Sequence, residues 1–120
     1  MAKNLTLSLL LDFYGPLLTE KQRTVASLYY DEDLSLSEIA QAQQISRQGV
    51  RDALKRAEQQ MLELEQTLGL AQRFRAITAG LDEIAETAQV LADAADPAVR
   101  IAAAQIRQIA AELKTKETDE

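Results

Sequence analysis

The first apolar positions of the chain form a cluster at residues 5–14, which ends at Gly15-Pro16. These positions would cover nearly every side of a helix, so we expect a buried helix here, with Asn4 available as its N-cap. Gly and Pro both disfavour continuation of a helix, and the helix should therefore stop at Tyr14.

Two capping boxes follow, and each predicts the start of a helix. Thr19 with Gln22, and Ser35 with Glu38, have the spacing at which a hydroxyl and a longer polar side chain satisfy each other's backbone N–H groups. We expect the first of these helices to end near Tyr30 and the second to be short.

The region after the second capping box has the pattern of a helix-turn-helix. Ile39 and Ala40 face inward in the short helix, a polar stretch with one apolar residue, Ile45, follows, and Ser46 can cap the next helix. Two helices joined by a turn of about three or four residues that holds one buried aliphatic side chain are typical of this DNA-binding motif.

Three long apolar stripes then occupy the rest of the chain. The second helix of the motif should continue to Gly69, a second stripe runs from Phe74 to Leu91, and Asp96-Pro97 begins a third that ends at Leu113. We therefore expect an all-α protein in which a helix-turn-helix domain, residues 1–70, precedes a helical hairpin, residues 71–114, and a frayed tail, residues 115–120. The core would have three to four helices, winged-helix-like or sigma region 4-like. Three stripes need apolar partners, which favours a homodimer.

Composition excludes several classes of function. The 120 residues contain no Cys and no His, which removes thiolate ligands, thiol nucleophiles and the commonest general base. Glu63 and Glu65 are the nearest approach to a pair of acidic groups, but residues two apart point to different sides of a helix. We expect neither enzymatic activity nor a metal site nor a cofactor. No signal peptide or membrane-spanning pattern is visible, so a cytoplasmic location without membrane insertion is expected.

The charge distribution identifies the candidate nucleic-acid surface. The net charge is −6, yet residues 47–56 hold four basic groups and one acidic group, a local charge of +3. Arginine and glutamine can read base edges, and lysine and serine can hold phosphate. The candidate DNA-binding residues are Ser46, Arg47, Gln48, Arg51, Lys55 and Arg56. A plain solvated face is the alternative interpretation of the same charges.

Several segments in the same order resemble the YlxM family of helix-turn-helix proteins over about residues 5–75. They are Leu11-Asp12-Phe13-Tyr14, Leu17-Leu18-Thr19-Glu20-Lys21-Gln22-Arg23, Asp33-Leu34-Ser35-Leu36, Glu38-Ile39-Ala40 and Ile45-Ser46-Arg47-Gln48. The middle of the chain is more distantly similar to sigma-factor region 4. The resemblance implies a DNA-binding protein that is associated with the signal recognition particle pathway.

Two functions remain open at this point. The first is a DNA-binding regulator, and the second is a helical adaptor that contacts protein or RNA of the signal recognition particle. DNA is the expected nucleic acid, and RNA is the alternative. An acidic chain repels duplex phosphate outside residues 47–56, which keeps the adaptor in consideration.

Overall fold

The computed structural model describes the backbone of residues 5–118 and the side chains of residues 5–116. Asn4, the expected first N-cap, lies outside these residues. Within them the chain is all-α, as predicted: one 3₁₀ turn, Gly15–Leu17, accompanies six α-helices, and no residue is in a β-strand. The helices are α1 (Leu5–Tyr14), α2 (Glu20–Tyr30), α3 (Leu36–Gln43), α4 (Arg47–Leu68), α5 (Leu70–Gln89) and α6 (Pro97–Thr118).

Both predicted capping boxes are formed, and they begin α2 and α3. The Gln22 backbone N–H donates to Thr19 Oγ1 at 3.2 Å, and the Thr19 N–H donates to Gln22 Oε1 at 3.3 Å. The corresponding distances between Ser35 and Glu38 are 3.1 and 2.9 Å. Each box satisfies two backbone donors that the first turn of a helix leaves free, so the sequence positions of these helix starts are locally determined.

The chain divides into two compact units, Met1–Ala71 and Gln72–Glu120. In the first unit α4 is the central helix and packs against α1, α2 and α3. The largest side chains that are fully buried all belong to this unit and come from each of its four helices: Tyr14, Leu10, Ile39, Met61, Val25 and Val50. The core therefore lies along one side of the first four turns of α4, and three helices pack against that side.

The end of α4 is fixed by hydrogen bonds around the buried hydroxyl of Tyr14. Gly69 ends the helix with a φ of 63°, a left-handed conformation that costs glycine little. The Tyr14 hydroxyl donates to Glu65 Oε1 at 2.6 Å and accepts from the Leu70 backbone N–H at 3.1 Å. Glu65 Oε1 also accepts from the Ala71 N–H at 3.0 Å. Two side chains of the first unit thus satisfy two of the free backbone donors at the start of α5.

The second unit consists of most of α5, a turn and α6. Asp96 caps α6 by accepting from the Ala98 N–H at 2.9 Å, which confirms the predicted start at Asp96-Pro97. Arg100 Nη1 donates to the carbonyl oxygens of Ala94 and Ala95 at 2.7 and 3.1 Å and closes the turn. A salt bridge of 2.7 Å joins Asp82 to Lys114 across the two helices.

The ends of the second and third stripes differ from the sequence-based expectation. Helix α5 ends at Gln89, so Leu91 lies in the following turn and does not extend the helical stripe. Helix α6 continues to Thr118, four residues into the segment for which a frayed tail was expected. Residues 119 and 120 lie outside the described part. Among the described helices, none is both long and apolar enough to cross a membrane.

Candidate nucleic-acid interface

Helices α3 and α4, with a turn of three residues between them, form the helix-turn-helix that the sequence predicts. Gln44 begins the turn with φ 57° and ψ 43°, a left-handed conformation that reverses the chain direction after α3. The Ile45 N–H donates back to the Ala40 carbonyl oxygen at 3.1 Å, and the Ile45 side chain is half-buried against the core. Ala40 is buried where its small side chain lets the two helices approach closely.

Ser46 starts α4 as its N-cap, as predicted. Its Oγ accepts from the Gly49 backbone N–H at 2.9 Å. A Cβ on Gly49 would lie 3.2 Å from the same Oγ, so a glycine leaves room for the cap. Because the Ser46 oxygen is occupied by the cap, its hydroxyl hydrogen is the group that can donate to an external acceptor such as a phosphate oxygen.

All six residues that the sequence proposes for DNA binding are exposed. Arg47, Arg51 and Lys55 follow one another at intervals of four residues, so they form a row along one side of α4. Gln48 lies beside this row, and its Nε2 donates to Asp52 Oδ1 at 3.0 Å. The acidic group inside the basic segment is thus used to orient Gln48.

Arg56 lies apart from the other predicted residues, on the flank of α4 that faces the start of α2. It lines a shallow groove of about 360 Å³ together with Lys21, Gln22 and the N-cap Thr19. The groove is polar. It combines two cationic side chains and the N-terminal end of α2 with the carboxylate of Asp52, which also lines it. The structure therefore separates the six predicted residues into a row on α4 and a groove between α2 and α4.

Sequence reasoning missed Lys21 as a member of this surface. It is 35 positions from Arg56, and only the packing of α2 on α4 brings both to the same groove. The available signal was its place inside the Thr19–Gln22 capping box, because the first turn of a helix presents free N–H groups that attract anions.

The cationic groups of α4 are available to an external anion. Across the residues whose side chains the structure describes, Arg47, Arg51, Lys55 and Arg56 make no hydrogen bond or ion pair with the protein. Asp52 is the acidic residue among them, and it is hydrogen-bonded to Gln48. The exposed side of α4 therefore offers four unpaired positive charges on a rigid helix, an arrangement that suits a polyanion.

The comparison of the chain with known proteins agrees with this architecture. A sequence model of the UPF0122 family, described as "Putative helix-turn-helix protein, YlxM / p13 like", matches residues 1–95. The match extends past residue 75, where the resemblance seen in the sequence ended. It includes α1 to α5 and stops before α6.

Curated relatives carry the same family name. A UPF0122 protein of Clostridium botulinum is 49% identical over 73 residues, which are 61% of this chain and 67% of the relative. A UPF0122 protein of Thermoanaerobacter sp. is 47% identical over 87 residues, 72% of this chain and 74% of the relative. One from Symbiobacterium thermophilum is 46% identical over 80 residues, 67% of this chain and 75% of the relative. The chain therefore belongs to the UPF0122 family of YlxM-like helix-turn-helix proteins.

Proposed function

We propose that this protein is a DNA-binding regulator that places α4 in the major groove. The observation that carries the proposal is the row Arg47, Arg51 and Lys55, exposed and unpaired on the second helix of a helix-turn-helix. In this motif the N-terminal residues of the second helix contact base edges. Arg47 and Gln48 lie in that first turn and have the donors that guanine and adenine require.

The groove between α2 and α4 supplies the backbone contacts in this proposal. Lys21 and Arg56 would each neutralise a phosphate, and the N-terminal end of α2 adds the positive end of a helix dipole. Ser46 would donate its hydroxyl hydrogen to a phosphate next to the first turn of α4. Such contacts fix the register of the protein on the duplex but carry no sequence information themselves.

The adaptor is a second proposal, in which the same helices contact RNA or protein of the signal recognition particle. The chain has 19 acidic and 13 basic residues, and the exposed connector Asp31-Glu32-Asp33 adds three carboxylates between α2 and α3. This excess of negative charge opposes tight binding to a duplex outside the basic segment. Both proposals place the protein in the cytoplasm, and neither involves catalysis.

The test is binding to a duplex DNA pool at a series of salt concentrations, with the double variant Arg47→Ala/Arg51→Ala beside the wild type. We expect affinity to fall at least tenfold, because each bidentate base contact is worth about 1–3 kcal/mol. The slope of log affinity against log salt should also shrink by roughly one for each phosphate contact that is lost.

The matched control is Arg73→Ala/Arg75→Ala, which removes two exposed arginines of α5 and changes the net charge equally. Its affinity should stay within about twofold of the wild type, since neither arginine belongs to the helix-turn-helix and a charge that makes no direct contact acts only through screened long-range attraction. Equal losses in both double variants would contradict the use of α4. Signal recognition particle RNA and protein are titrated in parallel, and binding there without any to DNA would favour the adaptor.

A further inference from the structure

The second unit has one side that is apolar and open. A shallow groove of about 550 Å³ runs between α5 and the middle of α6, and its lining includes Ile84, Ala88 and Leu91 from one side and Ile106 from the other. Ile109 and Leu113 follow Ile106 by three and seven residues and so continue the same side of α6. We call this surface the hairpin face, and its large members are Ile84, Leu91, Ile106, Ile109 and Leu113.

The interior of this unit is too small to bury these side chains. Among the described residues 72–116, those that are buried are Ala88, Ala103 and Ala110. Alanine lets α5 and α6 pack together but contributes little apolar area. The five large side chains of the hairpin face remain 42–56% exposed. The apolar stripe of a helix normally packs against another element, and within this unit the hairpin face has none.

The charged side chains of the unit lie outside the five large members of the hairpin face. Asp82 and Lys114 are joined by their 2.7 Å salt bridge, and Arg107 lies seven residues before Lys114 on the same side of α6. Glu83 is the charged residue among those that line the groove, and Thr87 is a polar one. The five large members themselves are all aliphatic.

We propose that the hairpin face pairs with the hairpin face of a second copy of this chain, so that two hairpins form a four-helix bundle. Five aliphatic side chains that are each about half exposed offer on the order of 450 Å² of apolar area per copy, against roughly 800 Å² of total area per partner in a stable interface. That apolar area is a little over half of the total, close to the roughly 65% apolar area of homodimer interfaces.

A second copy also fits the charge of the surface. Residues 72–120 hold six basic and nine acidic groups, a net charge of −3, so two copies repel each other unless the contact surface is uncharged. The five large members of the hairpin face meet that condition because they are aliphatic, and Glu83, which also lines the groove, is the charged residue that the contact would have to leave at its rim. A two-fold axis through the face would bring each aliphatic side chain against aliphatic side chains of the other copy, which is the arrangement of an isologous dimer.

The pairing does not depend on the proposed DNA binding, although a dimer would carry two copies of α4 and would suit a DNA site with two half-sites. All of α6 lies beyond the region that the family model matches, so the surface depends in part on a segment of this chain that the family comparison does not include.

The experiment is sedimentation equilibrium of the full chain over a wide range of concentrations. The wild type should sediment with twice the mass of one chain in the micromolar range. Ile106→Asp places a charge in the hairpin face and should weaken the dimer at least a hundredfold, since burying an unpaired carboxylate is strongly unfavourable. Ile84→Asp should do the same from α5.

Ile101→Asp is the matched control. Ile101 is on the same helix and is 61% exposed, but it lies five positions before Ile106 and so about 140° around the helix. Its dimer should dissociate at the concentration of the wild type. Circular dichroism establishes that each variant keeps its helix content. A wild type that stays monomeric at high concentration, or a dimer that survives both Ile106→Asp and Ile84→Asp in folded protein, would overturn the proposal.

Discussion

In the first unit the enclosed side chains include large ones, and among the described residues of the second they are alanines. Tyr14, Ile39 and Met61 are completely buried around α4, whereas Ile84 and Ile106 of the second unit keep nearly half of their surface exposed. Both regions have similarly regular apolar patterns along their helices. The difference is the number of neighbours within each unit, because α4 packs against three helices of the first unit, whereas the second unit consists of most of α5 and of α6. A regular pattern therefore indicates which side of a helix is apolar. Whether that side is buried depends on how many other helices pack against it.

The largest expected effect comes from the same substitution made in each unit. Ile39→Ala should lower the free energy of unfolding by about 2–5 kcal/mol, because it empties a fully enclosed site. Ile101→Ala should change it by less than about 1 kcal/mol, because the side chain is mostly exposed and alanine favours a helix.

Urea unfolding measures both variants. The three tyrosines of the chain, and no tryptophan, make tyrosine fluorescence a signal of the first unit, while circular dichroism follows the helices of both. Equal losses of unfolding free energy in the two variants would show that the second unit is as closely packed as the first, and would contradict the difference between the two units.

The next effect concerns the hydroxyl that connects α1 to the end of α4. Tyr14→Phe removes the donor to Glu65 and the acceptor for the Leu70 N–H, and should cost about 1–3 kcal/mol because buried polar groups are left unpaired. The Glu65→Gln variant and the double variant complete a cycle whose coupling energy should be roughly 0.5–3 kcal/mol. Strict additivity of the two substitutions would show that the bond contributes nothing to stability.

A smaller effect tests the local caps. Ser35→Ala removes the acceptor for the Glu38 N–H at the start of α3 and should cost about 1 kcal/mol. Ser37→Ala, two residues on and exposed in the same helix, should change stability by no more than about 0.5 kcal/mol. A loss of equal size at Ser37 would mean that the hydroxyl of the cap is not the cause.

The last effect is a loss of stability at alkaline pH, which does not occur at neutral pH. Burial raises the pKa of Tyr14 above its usual range, and the bond to Glu65 raises it further. Burial and the bond to Glu58 likewise raise the pKa of Tyr30. A raised tyrosine pKa means that the folded state holds the proton more tightly, so stability should be constant below roughly pH 10 and fall above it.

Unfolding free energies measured from pH 8 upward, an interval chosen around the usual tyrosine pKa of about 10, check this expectation. The unfolding free energy of Tyr14→Phe should decline less steeply with pH than that of the wild type. The other ionisable groups are the same in both proteins, so their effect cancels when the two free energies are subtracted. All three tyrosines are in the first unit, so the ionisation of tyrosine should destabilise that unit. Identical declines in both proteins would contradict the raised pKa of Tyr14.

Sequence reasoning performed best where the determinants are local. The starts of α2, α3, α4 and α6 follow from side chains that cap their own helix within three residues, and each was predicted. It performed less well at positions that depend on distant neighbours. Leu68 continues the apolar spacing of α4 but is 51% exposed, because the packed part of the helix ends before it.

The candidate interface shows the same division. The row on α4 could be predicted from the sequence spacing, since Arg47, Arg51 and Lys55 are four residues apart and therefore lie on the same side of one helix. The groove that Lys21 and Arg56 line could not be predicted from the sequence, because these residues are far apart in the chain and come together only when α2 packs on α4. The role of all these residues in binding DNA stays a prediction until the salt-titrated assay is made.

The sequence by itself determined the helical class, the caps, the helix-turn-helix and the positive charge along α4, because each depends on residues within a few turns of one another. The tertiary structure decided which apolar stripes are enclosed. The stripes of α4 and α6 are both regular, but α4 packs against α1, α2 and α3, whereas within its own unit α6 has α5 beside it, and the buried residue of α5 in that unit is an alanine, Ala88. The spacing of apolar residues is set within one helix, whereas their burial depends on which other helices pack against it.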